Sequence, residues 1–355
     1  MQTYVRVALK VAHNNGIFTY RLQHNEPGRD FFGLRVKVYL KTRLLLGVII
    51  GHEPEGFEPS YEVKDVVRLI DDQAVISKQQ FALMSFCASY YFNDLGSSIH
   101  LCVPRNDKPW RDKSLKKKPK KPVFFELSSE QQQALDTILA SPKSAFLLEG
   151  VTGSGKTQVY IKAALHALAE GRSVLFLVPE ISLTPQLIQR VNDGLGIDAC
   201  VIHSHMSPAQ KRDSIFALLN GAKVLIGARS AIFAPLINLG LIVVDEEHDG
   251  SFKQDDSLRY HARDLALFRG KHEEATVILG SATPSLESSL NVRKGRLTHL
   301  KLSTRYNSAR PLPLVTVIDL KERAADVDFR TQDLSTSAGQ KMCILSRPLV
   351  NAMKE

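Results

Sequence analysis

Residues 150–157 read Gly150-Val151-Thr152-Gly153-Ser154-Gly155-Lys156-Thr157, a glycine-spaced loop ending in a Lys-Thr pair. Glycines at this spacing let backbone N–H groups close around phosphate oxygens, and a helix beginning where the loop ends adds partial positive charge. In such a loop Lys156 neutralises β- and γ-phosphates while the Thr157 hydroxyl holds Mg²⁺. The pattern needs a strand before it and a helix after it. The apolar run Ala145 to Leu148 and the helical run Lys156 to Ala169 supply both. Gly150, Thr152, Gly153, Ser154, Gly155, Lys156 and Thr157 are therefore the expected phosphate-binding set, with ATP and Mg²⁺ as cofactors.

A second acidic group completes that chemistry. Asp245-Glu246-Glu247-His248 follows the apolar strand Leu241 to Val244. A carboxylate leaving a strand end beside a phosphate loop can hold Mg²⁺, and the next can polarise the attacking water. Asp245 is assigned to the metal and Glu246 to the general base, so the expected catalytic residues are Lys156, Asp245 and Glu246. Gly280-Ser281-Ala282-Thr283-Pro284 follows another buried strand. Its hydroxyls are placed to respond to the γ-phosphate.

The elements that must position these residues change character along the chain. Residues 1–105 read as a small β-rich domain. Tyr4 to Leu9 and Leu34 to Tyr39 alternate apolar with polar, Leu44 to Ile50 forms a buried strand, and a helix runs from an N-cap at Ser77 through Tyr91. Gly28, Gly33 and Gly47 are turn or bulge candidates. Residues 106–124 read as a linker rich in lysine, with a lone Trp110. From 125 to 320, apolar runs at Ala145 to Leu148, Ser173 to Val178, Ala199 to Ile202, Lys223 to Ile226, Leu241 to Val244 and Thr276 to Leu279 alternate with helical or loop segments. That alternation predicts an α/β fold with a parallel sheet covered by helices on both faces.

Composition narrows the partners. The 355 residues carry a formal charge of +9. Between Arg105 and Lys121 nine basic residues face two acidic ones, so nine minus two, or +7, lies in that segment. A localised excess of this kind suits an anionic partner or a solvated tether, and the tether is the simpler reading. The four cysteines are far apart with no CxxC spacing, which argues against a zinc site or a disulfide framework and fits a reducing cytoplasm. No apolar run approaches the roughly 18 residues of a membrane helix, and the N-terminus carries no signal-peptide pattern. His203 and His205 are assigned no role.

The order of the three motifs resembles superfamily 2 helicases. The succession Asp245-Glu246-Glu247-His248, Ser251-Phe252-Lys253-Gln254 and Arg259-Tyr260-His261-Ala262-Arg263-Asp264 is similar to the aromatic-rich loop of the bacterial replication-restart (primosomal) helicases. This resemblance implies a RecA-like P-loop NTPase lobe with a mostly parallel sheet, preceded by a small β-rich DNA-binding domain. It places Gln131, in Leu127-Ser128-Ser129-Glu130-Gln131, on the adenine base. It implies that Val178 to Gln186 and the segment Gly227 to Pro235, with Arg229, grip single-stranded DNA, and that Phe252, Lys253 and Tyr260 contact it too.

In the N-terminal domain the family's pocket for a 3′ end matches Gly16-Ile17-Phe18-Thr19-Tyr20, with Phe18 as the stacking aromatic and Lys64 on phosphate. Thr19 stands where the family usually has Asp, and Lys41 where it has Gly. The family implies ATP-dependent 3′-to-5′ unwinding at forked and single-stranded DNA. It also implies single-stranded-DNA-binding protein and other primosome proteins as partners, and a cytoplasmic, nucleoid-associated location.

Two departures from the family carry expectations of their own. Residues 105–122 stand where the family has a winged-helix domain. Residues 321–355 read as a connection to a second motor lobe, whose opening helix Leu345 to Glu355 resembles. On that reading this polypeptide lacks the second lobe's arginine finger and zinc module. It would hydrolyse ATP slowly without unwinding DNA, or act as a non-hydrolysing ATP- and DNA-binding module.

Overall fold

Alternating apolar positions in the first 70 residues build a five-stranded antiparallel sheet. Its strands are β1 (Thr3–Leu9), β2 (Ile17–Leu22), β3 (Arg35–Leu40), β4 (Arg43–His52) and β5 (Val66–Leu69), in spatial order β2-β1-β4-β3-β5. The computed structural model describes residues 3–11, 13–23, 29–104, 107–110, 122–123, 126–256 and 258–305. Gly28, the lysine run 111–121 and the helix expected over 345–355 lie outside them.

One face of the sheet packs Val5, Val7, Leu9, Val36, Val38 and Ile49 into a core of its own. The other turns Ala8, Val48 and Ile50 toward helices α1 (Lys78–Tyr90) and α2 (Leu95–Ile99). Ser77 caps α1 as expected, in a reciprocal capping box with Gln80. Gly47 is no turn. It lies inside β4 opposite Leu9, and a Cβ there would sit 2.3 Å from Val7 Cγ1, so close packing of two strands requires glycine.

The second region is a seven-stranded parallel sheet. Its elements run α3 (Ser129–Ala140), β6 (Ala145–Gly150), α4 (Lys156–Ala169), β7 (Ser173–Leu177), α5 (Pro185–Leu195), β8 (Cys200–Ile202), α6 (Pro208–Leu219), β9 (Val224–Gly227) and β10 (Leu239–Asp245). A minimal hairpin of β11 (Lys253–Gln254) and β12 (Tyr260–His261) follows, then α7 (Ala262–His272), β13 (Thr276–Ser281), α8 (Leu286–Arg293) and β14 (Thr298–Leu302). The strand order is β14-β6-β13-β10-β7-β9-β8. The central strands are nearly continuous apolar runs because helices cover both faces. α3, α4 and α5 bury Leu135, Val159 and Leu195 on one side; α6 and α7 bury Leu218 and Leu265 on the other. Each expected strand is present, with ends shifted by one or two residues. β11, β12 and β14 were not expected.

The two regions are not separated by a free tether. Trp110, expected in a linker, is 8% exposed; its backbone N–H donates to Asp71 Oδ1 at 2.8 Å and its indole N–H to Asn220 Oδ1 at 3.0 Å. Arg35 lies beneath, wholly buried, and grips both oxygens of Asp71 at 2.6 and 2.7 Å. Its other nitrogen contacts reach the carbonyls of Pro104 and Lys108. A solvated tether is thereby excluded for residues 107–110, and the described residues of both regions form one compact unit. Among the described residues no helix is long and apolar enough to cross a membrane.

Candidate nucleotide and nucleic-acid site

The phosphate loop leaves the C-terminal end of β6 and opens into α4, at the edge where ligands bind in parallel α/β sheets. Gly153 (φ 83°) and Gly155 (φ 80°) take left-handed conformations that a side chain would strain. Helices α1, α3, α5, α6 and α8 each begin with a Ser or Thr side chain accepting a first-turn amide. α4, at Gly155, and α7, at His261, begin with no such cap. Without a side-chain cap the start of α4 presents its positive dipole end to an anion, although the Gln158 amide already donates to Gly155 O at 2.9 Å.

Lys156 is buried, with Nζ donating to Gly150 O at 3.0 Å and lying 3.7 Å from Glu246 Oε1. Thr157 is half-buried in the first turn of α4, while Thr152 is exposed at the loop tip. Ser154 Oγ and Gln158 Oε1 are buried with no hydrogen-bond partner in the protein. A set of left-handed glycines, an uncapped helix start and an unpaired buried hydroxyl fits a bound polyphosphate.

Gln131 is placed differently from expectation. It is 1% exposed, its Oε1 accepts the Ser128 amide in the capping box of α3, and its Nε2 donates to Ser154 O at 2.7 Å. The side chain braces the phosphate loop from the start of α3.

β10 ends at Asp245, which pairs in register with Gly280 on β13. Tyr160, one helical turn after Lys156 on α4, donates its hydroxyl to Asp245 Oδ1 at 3.0 Å. Burial raises the Asp245 pKa above its ordinary value, and the charge of Glu246 adds to this; Lys156 and the Tyr160 hydroxyl pull the other way. A side chain on Gly280 would collide with that tyrosine hydroxyl, so the glycine is required for the contact. Glu246 sits at φ 49° in a left-handed turn that leaves its side chain 35% exposed beside Lys156. Strain of this kind at a turn often marks a functional position.

The next two residues have different work. Glu247 is fully buried, accepting from Ser285 N at 2.8 Å, Ser285 Oγ at 2.9 Å and Ser288 Oγ at 2.8 Å, and pairing with Arg263 Nη1 at 3.2 Å. It fastens the acidic turn to α7 and to the start of α8. His248 Nδ1 lies 2.7 Å from Ser281 Oγ, which also accepts the Thr283 amide at 3.0 Å. The acidic turn and the Gly280–Pro284 segment are therefore in direct contact.

The expected DNA contacts divide. Phe252 is completely buried, and Tyr260 is 5% exposed and packs edge-on against Phe233 with ring centroids 4.8 Å apart. Neither offers a free ring face, so their assignment to base stacking is corrected: both hold the hairpin against the lobe. Arg229 is also occupied, its Nη1 donating to Ser251 O at 3.1 Å and to Lys253 O. It shapes the turn, while Lys253 itself is exposed and pairs with Asp255 at 3.1 Å.

In the N-terminal domain Phe18 is half-buried on β2 opposite Val7, near His13. Thr19 is its neighbour and therefore projects to the opposite face, where its hydroxyl donates to Glu53 Oε1 at 2.7 Å. Lys64 Nζ donates to Lys41 O at 2.7 Å. Lys41 has φ 55° in the β3–β4 turn, a conformation glycine adopts without strain.

Sequence reading missed Tyr160, Arg263, Ser285 and Ser288. Tyr160 had a signal, its i+4 spacing from Lys156. The others are brought to Glu247 only by the fold.

Residues 128–292 match the DEAD/DEAH box helicase family and residues 6–104 match a 3′DNA-binding domain family. Among relatives, the chain is 38% identical to the replication restart protein PriA of Rickettsia prowazekii over 288 residues, covering 80% of this chain and 44% of the relative. It is 36% identical to the PriA of Treponema pallidum over 93% of this chain and 52% of the relative. Against the PriA of Chlamydia pneumoniae identity is 47%, covering 66% and 30%. The chain thus spans about half, or less, of the length of the curated relatives it matches.

Proposed function

The chain belongs to the PriA family of replication restart proteins, and we propose that it binds ATP with Mg²⁺ and forked or single-stranded DNA, as the first motor lobe and fork-binding module of an ATP-dependent 3′-to-5′ DNA helicase. The observation that carries this reading is the grouping, along one sheet edge, of the uncapped α4 start with Lys156, Asp245 and Glu246. In it, the first-turn amides of α4 and Ser154 receive phosphate oxygens, and Lys156 leaves the Gly150 carbonyl to take the β- and γ-phosphates. Thr157 and Asp245 would hold Mg²⁺, which when bound would supply neutralising charge to the phosphoryl group. Glu246, exposed and beside Lys156, orients the attacking water.

DNA affinity is supported by the match to a 3′DNA-binding domain over residues 6–104. Phe18, Lys64 and Lys253 remain its candidate contacts. By family, single-stranded-DNA-binding protein and other primosome proteins are the partners and the cytoplasm the location.

The test is ATP hydrolysis with and without forked DNA, beside Mg²⁺–ADP calorimetry. The reading expects Mg²⁺-dependent nucleotide binding and hydrolysis that forked DNA stimulates. Nucleotide affinity identical in wild type and Lys156→Ala would falsify the phosphate assignment. DNA binding indifferent to salt would remove the nucleic-acid half, since phosphate neutralisation makes log K fall by roughly 0.7 to 0.9 per contact for each unit of log[salt].

A further inference from the structure

Glu180, His203 and His205 converge at the C-terminal edge of the parallel sheet, after strands β7 and β8, whereas the phosphate loop follows β6. Glu180 opens a short 3-10 turn after β7, and the two histidines lie in the turn after the edge strand β8. One ligand atom from each lies within 4.8 Å of the other two. The carboxylate is fixed before any ligand arrives: Glu180 Oε1 accepts the Ser204 amide at 3.0 Å and the Ser204 hydroxyl. Ser204 stands between the two histidines, so the same anchor sets their register. His205 Nδ1 lies 3.4 Å from that oxygen, and the two imidazole centroids are 6.0 Å apart.

We propose that Glu180, His203 and His205 form a binding site for a divalent transition-metal ion of the Zn²⁺ class. Two imidazole nitrogens and one carboxylate oxygen are the donor set of an open zinc site, which keeps its remaining position for water or an anion. Mg²⁺ and Ca²⁺ prefer all-oxygen ligands, so this cluster is distinct in chemistry from the nucleotide metal at Thr157 and Asp245. The Ser204 contacts to the carboxylate are the kind of outer-shell bonds that orient metal ligands. The absence of paired cysteines bears only on thiolate sites. Nothing in this site depends on the nucleotide reading.

The alternative is an ordinary ion pair, formed when His205 is protonated, with no metal affinity. Titration of the metal-stripped chain with Co²⁺, followed by displacement with Zn²⁺, separates the two. The site gives one saturable equivalent with visible d–d absorption and no thiolate charge-transfer band. The absorption disappears in His205→Ala and in His203→Ala. His205 is 82% exposed, so its removal leaves the fold intact, as circular dichroism can verify. Zn²⁺ affinity should fall in either variant by more than the roughly 10- to 100-fold that loss of an outer-shell partner costs. No d–d absorption in the wild type, or a Co²⁺ titration unchanged in both variants, overturns the site.

Discussion

Asn93 holds the backbone of Arg259 at both ends of its side-chain amide: Nδ2 donates to the Arg259 carbonyl at 2.8 Å, and Oδ1 accepts the Arg259 amide at 3.1 Å. Asn93 follows α1 of the N-terminal domain, whereas Arg259 precedes the hairpin strand β12 of the motor lobe. Four residues further on, Arg263 pairs with the buried Glu247 of the acidic turn. Phe86 of α1 stacks on Phe268 of α7 with centroids 3.8 Å apart, so the contact is backed by apolar packing. The N-terminal domain thus touches the segment that fastens the acidic turn.

Asn93→Ala should raise hydrogen exchange at the Arg259 amide and cost about 1 kcal/mol of stability, because the freed groups can reach water. Mg²⁺–ADP affinity should stay within about twofold, a difference of about 0.4 kcal/mol. Exchange at Arg259 that matches the wild type would show that the clamp does not persist in solution.

Glu246 and Glu247 are neighbours with opposite expectations. Glu247→Ala removes the buried partner of Arg263 and of two serine hydroxyls, which should cost about 3 kcal/mol, the low end for a broken buried pair because Arg263 keeps Asp264 at 3.1 Å. Glu246→Ala removes a side chain at the mouth of the site and should change stability by no more than about 0.5 kcal/mol. Urea unfolding of the two variants decides this. Equal midpoints would mean that the Glu247 network contributes nothing.

Phe252 and Tyr260 test the corrected reading of the aromatic loop. Phe252→Ala opens a cavity in the core and should destabilise by about 3–5 kcal/mol. At a temperature where the variant is still folded, its affinity for single-stranded DNA should equal that of the wild type. Loss of a stacked base would instead cost about 1–3 kcal/mol of binding. A selective DNA defect without destabilisation would restore the stacking assignment.

Much of this fold was legible because its signals are local. The strand–glycine loop–helix order put Lys156 at the start of α4, and an apolar run ending in Asp245 put that carboxylate at a strand terminus. Burial inside irregular segments was not legible. Phe252 and Tyr260 occur in a hydrophilic stretch that looks exposed, yet a two-residue hairpin folds Tyr260 onto Phe233. Trp110 sits in a basic run whose composition says tether, while Asp71 and Asn220 anchor it from far away in sequence. Gln131 has the spacing of a capping-box residue after Ser128, a local cue that the family resemblance overrode. Glu180 meets His203 and His205 across strands that are not even neighbours in the sheet.

Asp245 should make the nucleotide-free protein less stable as pH rises through the acid range. Its ordinary pKa of 3.8 is raised in the folded state, by burial first and then by Glu246. Between 3.8 and the raised value the folded state binds more protons than the unfolded state, so the linkage slope for this group is negative. Stability from Asp245 is fully present below 3.8 and is lost as pH climbs through the folded value. Asp245→Asn abolishes the titration, so the difference between wild-type and variant unfolding free energies should tilt across this window and flatten above it. On the proposed function Mg²⁺ is held by the Asp245 carboxylate, so Mg²⁺–ADP should stabilise the wild type increasingly over the same rise in pH. Lys156→Ala removes a cation that acts on Asp245 and, on the proposed function, a contact to phosphate, and should weaken nucleotide binding by about 1.5–3 kcal/mol. In the free protein it should also shift the tilt to higher pH, because Lys156 is the charge that opposes the raised pKa. Urea unfolding of the three proteins at closely spaced pH values, without and with Mg²⁺–ADP, measures each of these. A wild-type profile parallel to that of Asp245→Asn at every pH would mean that the carboxyl titrates normally and is open to solvent in the folded protein.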